Sequence, residues 1–249
     1  MSTDVSGAER TTGRVIAEGV YWLGGCLSAS AEGQEVHYHV SSYLVMGSEA
    51  SILVDTGDPA HRDTVLAELE NALGSRSLDY VFPTHPEIPH AGNLPVLLER
   101  YPSAVVVGDI RDYALHFPEY ADRLTAKRAG ESIALGDREF HFLPAYIRDL
   151  ENTLWGYDSG AGIMFVSDGF SYIHDIPGPD EDDEPVHLPG QCRLLSTEMP
   201  APRKPMEVSS ISRATARSFF TSMKPKRLVI WRPTKTLRHS GCFSPSERS

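Results

Sequence analysis

The first part of the chain alternates apolar and polar positions in two segments that glycine and serine interrupt. Residues 14–25 read RVIAEGVYWLGG, and residues 39–58 read HVSSYLVMGSEASILVDTGD. Interleaved valine, isoleucine, tyrosine and leucine with breaks of this kind are typical of β-strands joined by tight turns. We therefore predict strands and hairpins at the start of the fold.

A helical pattern follows the second of these segments. Asp58 is a favourable N-cap residue, Pro59 suits the first helical position, and Gly74 ends the pattern. The apolar residues between them recur at helical spacing and are Val65, Leu66, Leu69 and Leu73. This part of the chain therefore predicts a buried strand, a turn and a helix.

The same plan repeats over residues 77–109, which read SLDYVFPTHPEIPHAGNLPVLLERYPSAVVVGD. We predict a strand over residues 80–82, a loop that carries two histidines, a helix over residues 94–100 and a strand over residues 104–107. The histidine loop thus follows the carboxyl end of a strand. Open α/β sheets bind their ligands at such positions.

Strands and helices continue to alternate in the remaining sequence. One or two helices are predicted within residues 112–128, strands within 138–147 and 162–168, a helix over 209–223 and a last strand over 226–231. No internal repeat is visible. This order favours an α/β or α+β sandwich.

The predicted domain covers residues 14–236. A flexible N-terminus precedes it over residues 1–13, and a polar C-terminal tail follows it over residues 237–249. Within the domain, residues 177–189 place five consecutive acidic residues between prolines, and we predict a solvated acidic loop there.

Composition narrows the range of partners. The 249 residues include 41% hydrophobic residues, enough for a packed core, and carry a formal net charge of −11. Such a charge argues against binding to nucleic acid or an anionic membrane surface, because both need excess Lys and Arg. Three widely spaced cysteines, no apolar signal segment and no membrane-spanning run predict a cytoplasmic protein with reduced thiols.

The histidine loop contains the strongest candidate chemistry. His85, Glu87 and His90 lie within six residues of the sequence HPEIPH, directly after a predicted strand. Imidazole and carboxylate groups are ligands for divalent transition metals. The spacing alone leaves two interpretations open, a metal site or a proline-rich loop that happens to contain histidines.

The sequence around this loop resembles the metallo-β-lactamase superfamily, and within it the flavodiiron proteins. The flavodiiron metal loop has the form HxExDHxGxL, and this chain reads HPEIPHAGNL. The similarity includes GVYWLGG, SSYLV and LVDTG before the loop and TLWGYDSGAGIMFVSDGF after it, over about residues 14–235. It implies a four-layer αβ/βα sandwich with iron at the site, and manganese or zinc as less expected metals.

The resemblance implies that His85 and Glu87 bind one iron and that Asp168 bridges to a second. The aspartate of the family motif is Pro89 here, which has no ligand atom. The next family ligand, a histidine, falls on Asp149, or on Arg148 if the alignment shifts by one residue. One iron with His85, Glu87, Asp149 and Asp168 is therefore favoured over two.

The second iron position retains His90 and Asp168. The last histidine of the family pattern falls on Lys235, whose positive charge would oppose a second cation, unless His239 takes that role. His37 and His39 alternate on a predicted strand and so face one side. They are candidates for replacement ligands or proton donors, and the competing interpretation is a pair of partly exposed strand histidines.

The resemblance implies an oxygen-linked oxidoreductase or oxygenase, or an oxygen-binding protein, that acts on a small molecule. The sequence contains no counterpart of the flavin-carrying domain of flavodiiron proteins, so electrons would come from the substrate or a separate donor. A homodimer is compatible with the family.

Two other function classes compete with this interpretation. In the first, the protein binds no metal, and Arg148 and Lys235 hold an anionic small molecule. His85 or His90 then acts as a base for hydrolysis, elimination or cyclisation of this molecule, or the pocket only senses it. In the second, the protein is a zinc hydrolase. Glu87 disfavours this last class, because zinc hydrolases usually have histidine at that position.

Overall fold

The computed structural model describes residues 13–31, 34–148, 150–170 and 173–175. Its strands are β1 (Arg14–Ala17), β2 (Val20–Ala31), β3 (Gln34–Met46), β4 (Ser51–Val54), β5 (Tyr80–Phe82), β6 (Val105–Gly108), β7 (Leu124–Ala126), β8 (Ser132–Ala134), β9 (Glu139–Pro144), β10 (Leu154–Asp158), β11 (Ile163–Phe165) and β12 (Ile173–Asp175). Its α-helices are α1 (Arg62–Leu73), α2 (Ile88–Ala91), α3 (Leu94–Arg100) and α4 (Tyr113–His116). Short 3-10 turns cover Pro59–His61, Pro118–Arg123 and Ser167–Phe170.

These strands form two sheets. The first has the order β1-β2-β3-β4-β5-β6-β7, with β12 paired to β3. Its pairs are antiparallel from β1 to β4 and parallel from β4 to β7. The second sheet is antiparallel and has the order β11-β10-β9-β8. The predicted α/β class is therefore confirmed.

Apolar residues cover both faces of the first sheet. On one face, Leu69 of α1 and Leu97 of α3 share a buried cluster with Leu53 and Val81. On the other face, Phe82 meets the second sheet in a cluster that includes Phe140 and Phe142 of β9. Burial of this apolar area is the main stabilising term of the sandwich.

The far side of the second sheet is buried as well. Leu143 alternates with Phe142 along β9 and so belongs to a separate cluster with Trp155 and Met164. A helix layer, two sheets and a second buried outer face agree with the sandwich architecture that the sequence predicts.

Most predicted elements before the site occur as expected. The strand over residues 80–82 and the helix over residues 94–100 have the predicted bounds. Residues 112–128 differ, because α4 ends at His116 and a 3-10 turn and β7 follow. Proline disfavours helical geometry in the residue before it, and Phe117, before Pro118, has φ −131° and ψ 59°.

Several predicted segments lie outside the described residues. They are the N-terminus over residues 1–12, the acidic loop 177–189, the helix over 209–223, the strand over 226–231 and the tail 237–249. The domain boundaries therefore stay predictions. Among the helices that the structure describes, none is long and apolar enough to cross a membrane.

Asp58 caps the turn that leads into α1. Its Oδ1 accepts a hydrogen bond of 2.8 Å from the Ala60 amide. We expect Asp58→Ala to lower the free energy of unfolding by about 1 kcal/mol, because an amide donor at the start of the turn loses its acceptor. Urea unfolding measures the change. Asp58→Asn keeps an acceptor oxygen, so equal losses in the two variants would contradict the capping role.

Candidate metal centre

Two parallel strands bring the site residues to one edge of the first sheet. β4 and β5 pair side by side, so Asp55 after β4 and the histidine loop after β5 emerge together. The Asp55 amide donates to the Phe82 carbonyl at 2.9 Å, and the Thr56 amide donates to the His90 carbonyl at 2.8 Å. These backbone bonds fix the position of the histidine loop relative to the end of β4.

Asn93 fastens the other end of the loop. It is 1% exposed, and its side-chain amide lies 3.0 Å from the carbonyl oxygens of Thr56 and Gly57. The Asn93 backbone amide donates to the Thr56 hydroxyl at 3.1 Å. The loop is therefore held by buried hydrogen bonds at both ends, which keeps its side chains in fixed positions.

The rings of His85 and His90 lie against each other on the buried side of this loop. Their ring centroids are 4.0 Å apart, and both residues are buried. Pro89 stands in the first turn of α2, a position that suits proline. The short stretch of chain that joins the histidines therefore folds into a tight turn that places both rings in one site.

Asp168 reaches the same point from the second sheet. It follows β11 in the 3-10 turn Ser167–Phe170. A single oxygen, Oδ2, lies 3.1 Å from His90 Nε2 and 3.5 Å from His85 Nε2. The ligand atoms of the two histidines and this carboxylate all lie within 4.8 Å of one another.

Glu87 approaches from the solvent side. Its Oε2 lies 3.5 Å from His85 Nε2, and its side chain is 44% exposed. Glu87 contacts one histidine where Asp168 contacts both. It is therefore a peripheral candidate ligand beside the three central ones.

A buried carboxylate supports His90 from behind. Asp55 is 4% exposed, and its Oδ2 lies 3.0 Å from His90 Nδ1. Its other oxygen accepts hydrogen bonds from the Thr84 amide at 2.7 Å and the Thr84 hydroxyl at 2.8 Å. Asp55 thus orients the His90 ring so that Nε2 points at Asp168.

The charges of these groups affect one another. Burial lowers the pKa of His90, but the charge of Asp55, hydrogen bonds to Asp168 and Asp55, and the charge of Asp168 outweigh it and raise the pKa to about 10. Burial raises the pKa of Asp168, but its hydrogen bond to His90 and the charges of both histidines bring it below its usual value. The site therefore concentrates negative charge that favours a cation.

The donor set fits a metal ion. His85 Nε2 is buried, and among the described residues no group forms a hydrogen bond with it. Ligand atoms bound at about 2.1 Å to one ion lie about 3.0–3.4 Å apart, close to the 3.1 and 3.5 Å observed between Asp168 and the histidines. An ion between these atoms would give the buried nitrogen a partner.

The structure brings together part of the predicted ligand set. His85, His90 and Asp168 converge, and Glu87 lies beside them. His90 shares the Asp168 oxygen with His85, whereas the family resemblance assigns it to a second iron. The number of ions stays a prediction.

Of the other predicted site residues, the described part of the chain includes Arg148 and the strand positions of His37 and His39. Arg148 is exposed, and Asp149, Lys235 and His239 lie outside the described residues. His37 and His39 lie in β3 as predicted, opposite Ser28 and Cys26 of β2. Their proposed roles as ligands or proton donors stay predictions.

Three supporting residues were not identified from the sequence as parts of the site: Asp55, Thr84 and Ser167. A signal for Asp55 exists, because it directly follows a buried strand that neighbours the histidine strand. The hydroxyl residues carry no such signal, since serine and threonine are common in surface loops.

Comparisons with known proteins agree with the resemblance seen in the sequence. The sequence profile described as the metallo-beta-lactamase superfamily matches residues 37–191. The coenzyme F420H(2) oxidase of Methanothermobacter marburgensis is 28% identical over 171 residues, which are 62% of this chain and 41% of the relative. The nitric oxide reductase of Moorella thermoacetica is 24% identical over 169 residues, again 62% of this chain and 41% of the relative.

A solved structure supports the same fold. The flavodiiron protein from Giardia intestinalis superposes with a TM-score of 0.55 and 18% identity, over 66% of this chain and 42% of that one. The chain thus spans about two fifths of the length of these three proteins. The expected fold family is confirmed.

Proposed function

The chain belongs to the metallo-β-lactamase superfamily, and we propose that it binds iron at His85, His90 and Asp168 for redox chemistry linked to oxygen or nitric oxide. Similar proteins include an F420H(2) oxidase and a nitric oxide reductase. The observation that carries the proposal is the convergence of two histidine nitrogens on one carboxylate oxygen.

The ligand chemistry favours iron over zinc. Two histidines and one carboxylate, with further coordination positions open, are typical of non-haem ferrous sites. Zinc hydrolases of the metallo-β-lactamase type usually have a histidine at the position of Glu87. Glu87, which lies 3.5 Å from His85, adds a second carboxylate on the exposed side.

We propose a single ion. His90 Nε2 and His85 Nε2 address the same Asp168 oxygen, so the three donors define one position. Pro89 has no donor atom with which to complete a second site. If Lys235 approaches the pocket, its charge would oppose a second cation.

The residues of the protein would bind the ion, orient the small molecule and exclude water from the inner side of the site. A bound ferrous ion would supply one-electron chemistry with a diatomic ligand at its open positions. His85 and His90, both buried, close the inner side of the site to water, while Glu87 and Asp168, about half exposed, face the side from which a small molecule enters. Electrons would come from that molecule or from a redox donor.

Elemental analysis of full-length protein expressed with added iron tests this function. The expected result is about one iron per chain and oxygen or nitric oxide consumption when a reductant is supplied. Two irons per chain would contradict the single ion. Bound zinc with ester or lactone hydrolysis would favour a hydrolase, and protein without metal would favour an anion site that uses Arg148 and Lys235.

A further inference from the structure

Two residues with strained backbone conformations contact the two histidines of the site. Among the described residues, two that are not glycine have positive φ, namely Asp55 at 58° and Ser167 at 50°. Side chains with a Cβ rarely adopt this conformation. Each of the two residues places an oxygen beside the Nδ1 atom of one histidine.

The contact between Asp55 and His90 shows how such a residue orients a histidine ring. Asp55 Oδ2 lies 3.0 Å from His90 Nδ1, and a carboxylate oxygen can only accept. A proton is therefore held on Nδ1, so Nε2, which faces Asp168, is the nitrogen that would bind a metal in place of its own proton. This arrangement is known to orient metal-binding histidines.

Ser167 stands in the same relation to His85. Its Oγ lies 3.0 Å from His85 Nδ1. We propose that Ser167 is a positioning residue that accepts the Nδ1 proton of His85, fixes this tautomer and so turns the Nε2 lone pair toward the metal. The proposal depends on the proposed iron site for its consequence, whereas the tautomer itself is a property of the metal-free protein.

The local hydrogen bonds favour this tautomer. With the proton on Nε2, His85 would direct a buried donor toward the Asp168 and Glu87 oxygens, each 3.5 Å away, without a hydrogen bond to either. With the proton on Nδ1, Ser167 Oγ accepts it. The single proton of the Thr84 hydroxyl goes to Asp55 Oδ1, which can only accept, so in the 2.8 Å contact between Thr84 and Ser167 the Ser167 hydroxyl donates, and its lone pairs stay available for the Nδ1 proton.

Thr84 connects the two supports. Its hydroxyl lies 2.8 Å from Ser167 Oγ and 2.8 Å from Asp55 Oδ1. A buried network thus runs from the carboxylate behind His90 to the hydroxyl behind His85. Such a network keeps both rings oriented before a metal arrives, which reduces the ordering needed on binding.

Ser167→Gly and Ser167→Ala separate this role from backbone strain. Both variants remove the hydroxyl, but glycine adopts positive φ without strain and alanine does not. If the hydroxyl matters, both lose Co²⁺ affinity by about 10- to 100-fold, although Ser167→Gly keeps its thermal stability. Ser103→Ala, which removes an exposed serine hydroxyl, is the matched control.

Two measurements complete the test. Titration of chelator-treated protein with Co²⁺ gives the affinity, and long-range ¹⁵N–¹H spectra of the histidine rings in metal-free protein give the tautomer. We expect neutral His85 to carry its proton on Nδ1 in the parent and in Ser103→Ala, and to lose this preference in both Ser167 variants.

The outcomes distinguish this proposal from the proposed function. Parental Co²⁺ affinity and an Nδ1 proton in Ser167→Gly would overturn the role of Ser167. A parent protein that binds neither Co²⁺ nor iron would overturn the proposed function, while loss of the Nδ1 tautomer in Ser167→Gly would still support the positioning role. Affinity loss in Ser167→Ala alone would indicate strain and would also overturn it.

Discussion

Asp168→Asn is expected to abolish metal binding while the fold persists. Oδ2 of Asp168 faces Nε2 of both histidines at 3.1 and 3.5 Å, so its charge acts at the centre of the donor set. Asparagine has nearly the same size but removes the negative charge and offers one oxygen. The iron content should fall from about one per chain to background, as elemental analysis would show.

A graded series tests the central place of Asp168. Glu87→Gln should weaken iron binding less, because Glu87 contacts His85 alone and is 44% exposed. Asp122→Asn makes the same chemical change as Asp168→Asn at an exposed position and should bind iron like the parent protein. Thermal unfolding checks that each variant is folded.

The opposite order would refute the proposed site. If Glu87→Gln lost all iron while Asp168→Asn retained it, the ion would lie on the solvent side of His85 and not between the two histidines. Full iron content in both variants would place the metal elsewhere in the chain.

Local patterns in the sequence predict the elements around the site well. The strand over residues 80–82 and the helix over 94–100 have clear boundaries, because proline and polar residues interrupt strong apolar runs. The histidine loop is predicted for the same reason, since it comes directly after a recognisable strand. The structure of residues 112–128 is harder to predict from the sequence, because the effect of Pro118 on Phe117 competes with a helical pattern of apolar residues.

The grouping of the ligands depends on contacts between distant segments. His85 and Asp168 lie far apart in the sequence and meet because the second sheet packs against the first through Phe82, Phe140 and Phe142. Sequence similarity indicated Asp168, but the sharing of one oxygen by two histidines is a matter of side-chain geometry. No pattern in a single sequence contains that information.

Asp55→Asn is expected to separate metal binding from stability. Asp55 Oδ1 accepts from the Thr84 amide, and an asparagine oxygen can keep this bond. The new NH₂ group then takes the place of Oδ2, 3.0 Å from His90 Nδ1, and can only donate. Nδ1 must become the acceptor, so the proton moves to Nε2 and blocks the lone pair that faces the metal.

The affinity for iron or Co²⁺ should therefore fall by about 10- to 100-fold, the range seen when groups that orient a metal-binding histidine are changed. The pKa of His90 should also fall in the metal-free variant, because the charge of Asp55 is the largest of the effects that raise it. Asp55→Ala should in addition lose about 1–3 kcal/mol of stability, since the buried Thr84 amide loses its acceptor.

Asp79→Asn is the matched control for this pair of variants. Asp79 accepts from the Ser51 amide at 2.8 Å but precedes β5, at the opposite end from the histidine loop. Its replacement should leave metal affinity unchanged. If Asp55→Asn bound metal like the parent, the His90 tautomer would not depend on Asp55. The contact between the buried Asp55 oxygen and His90 Nδ1 would then serve the fold and not metal binding.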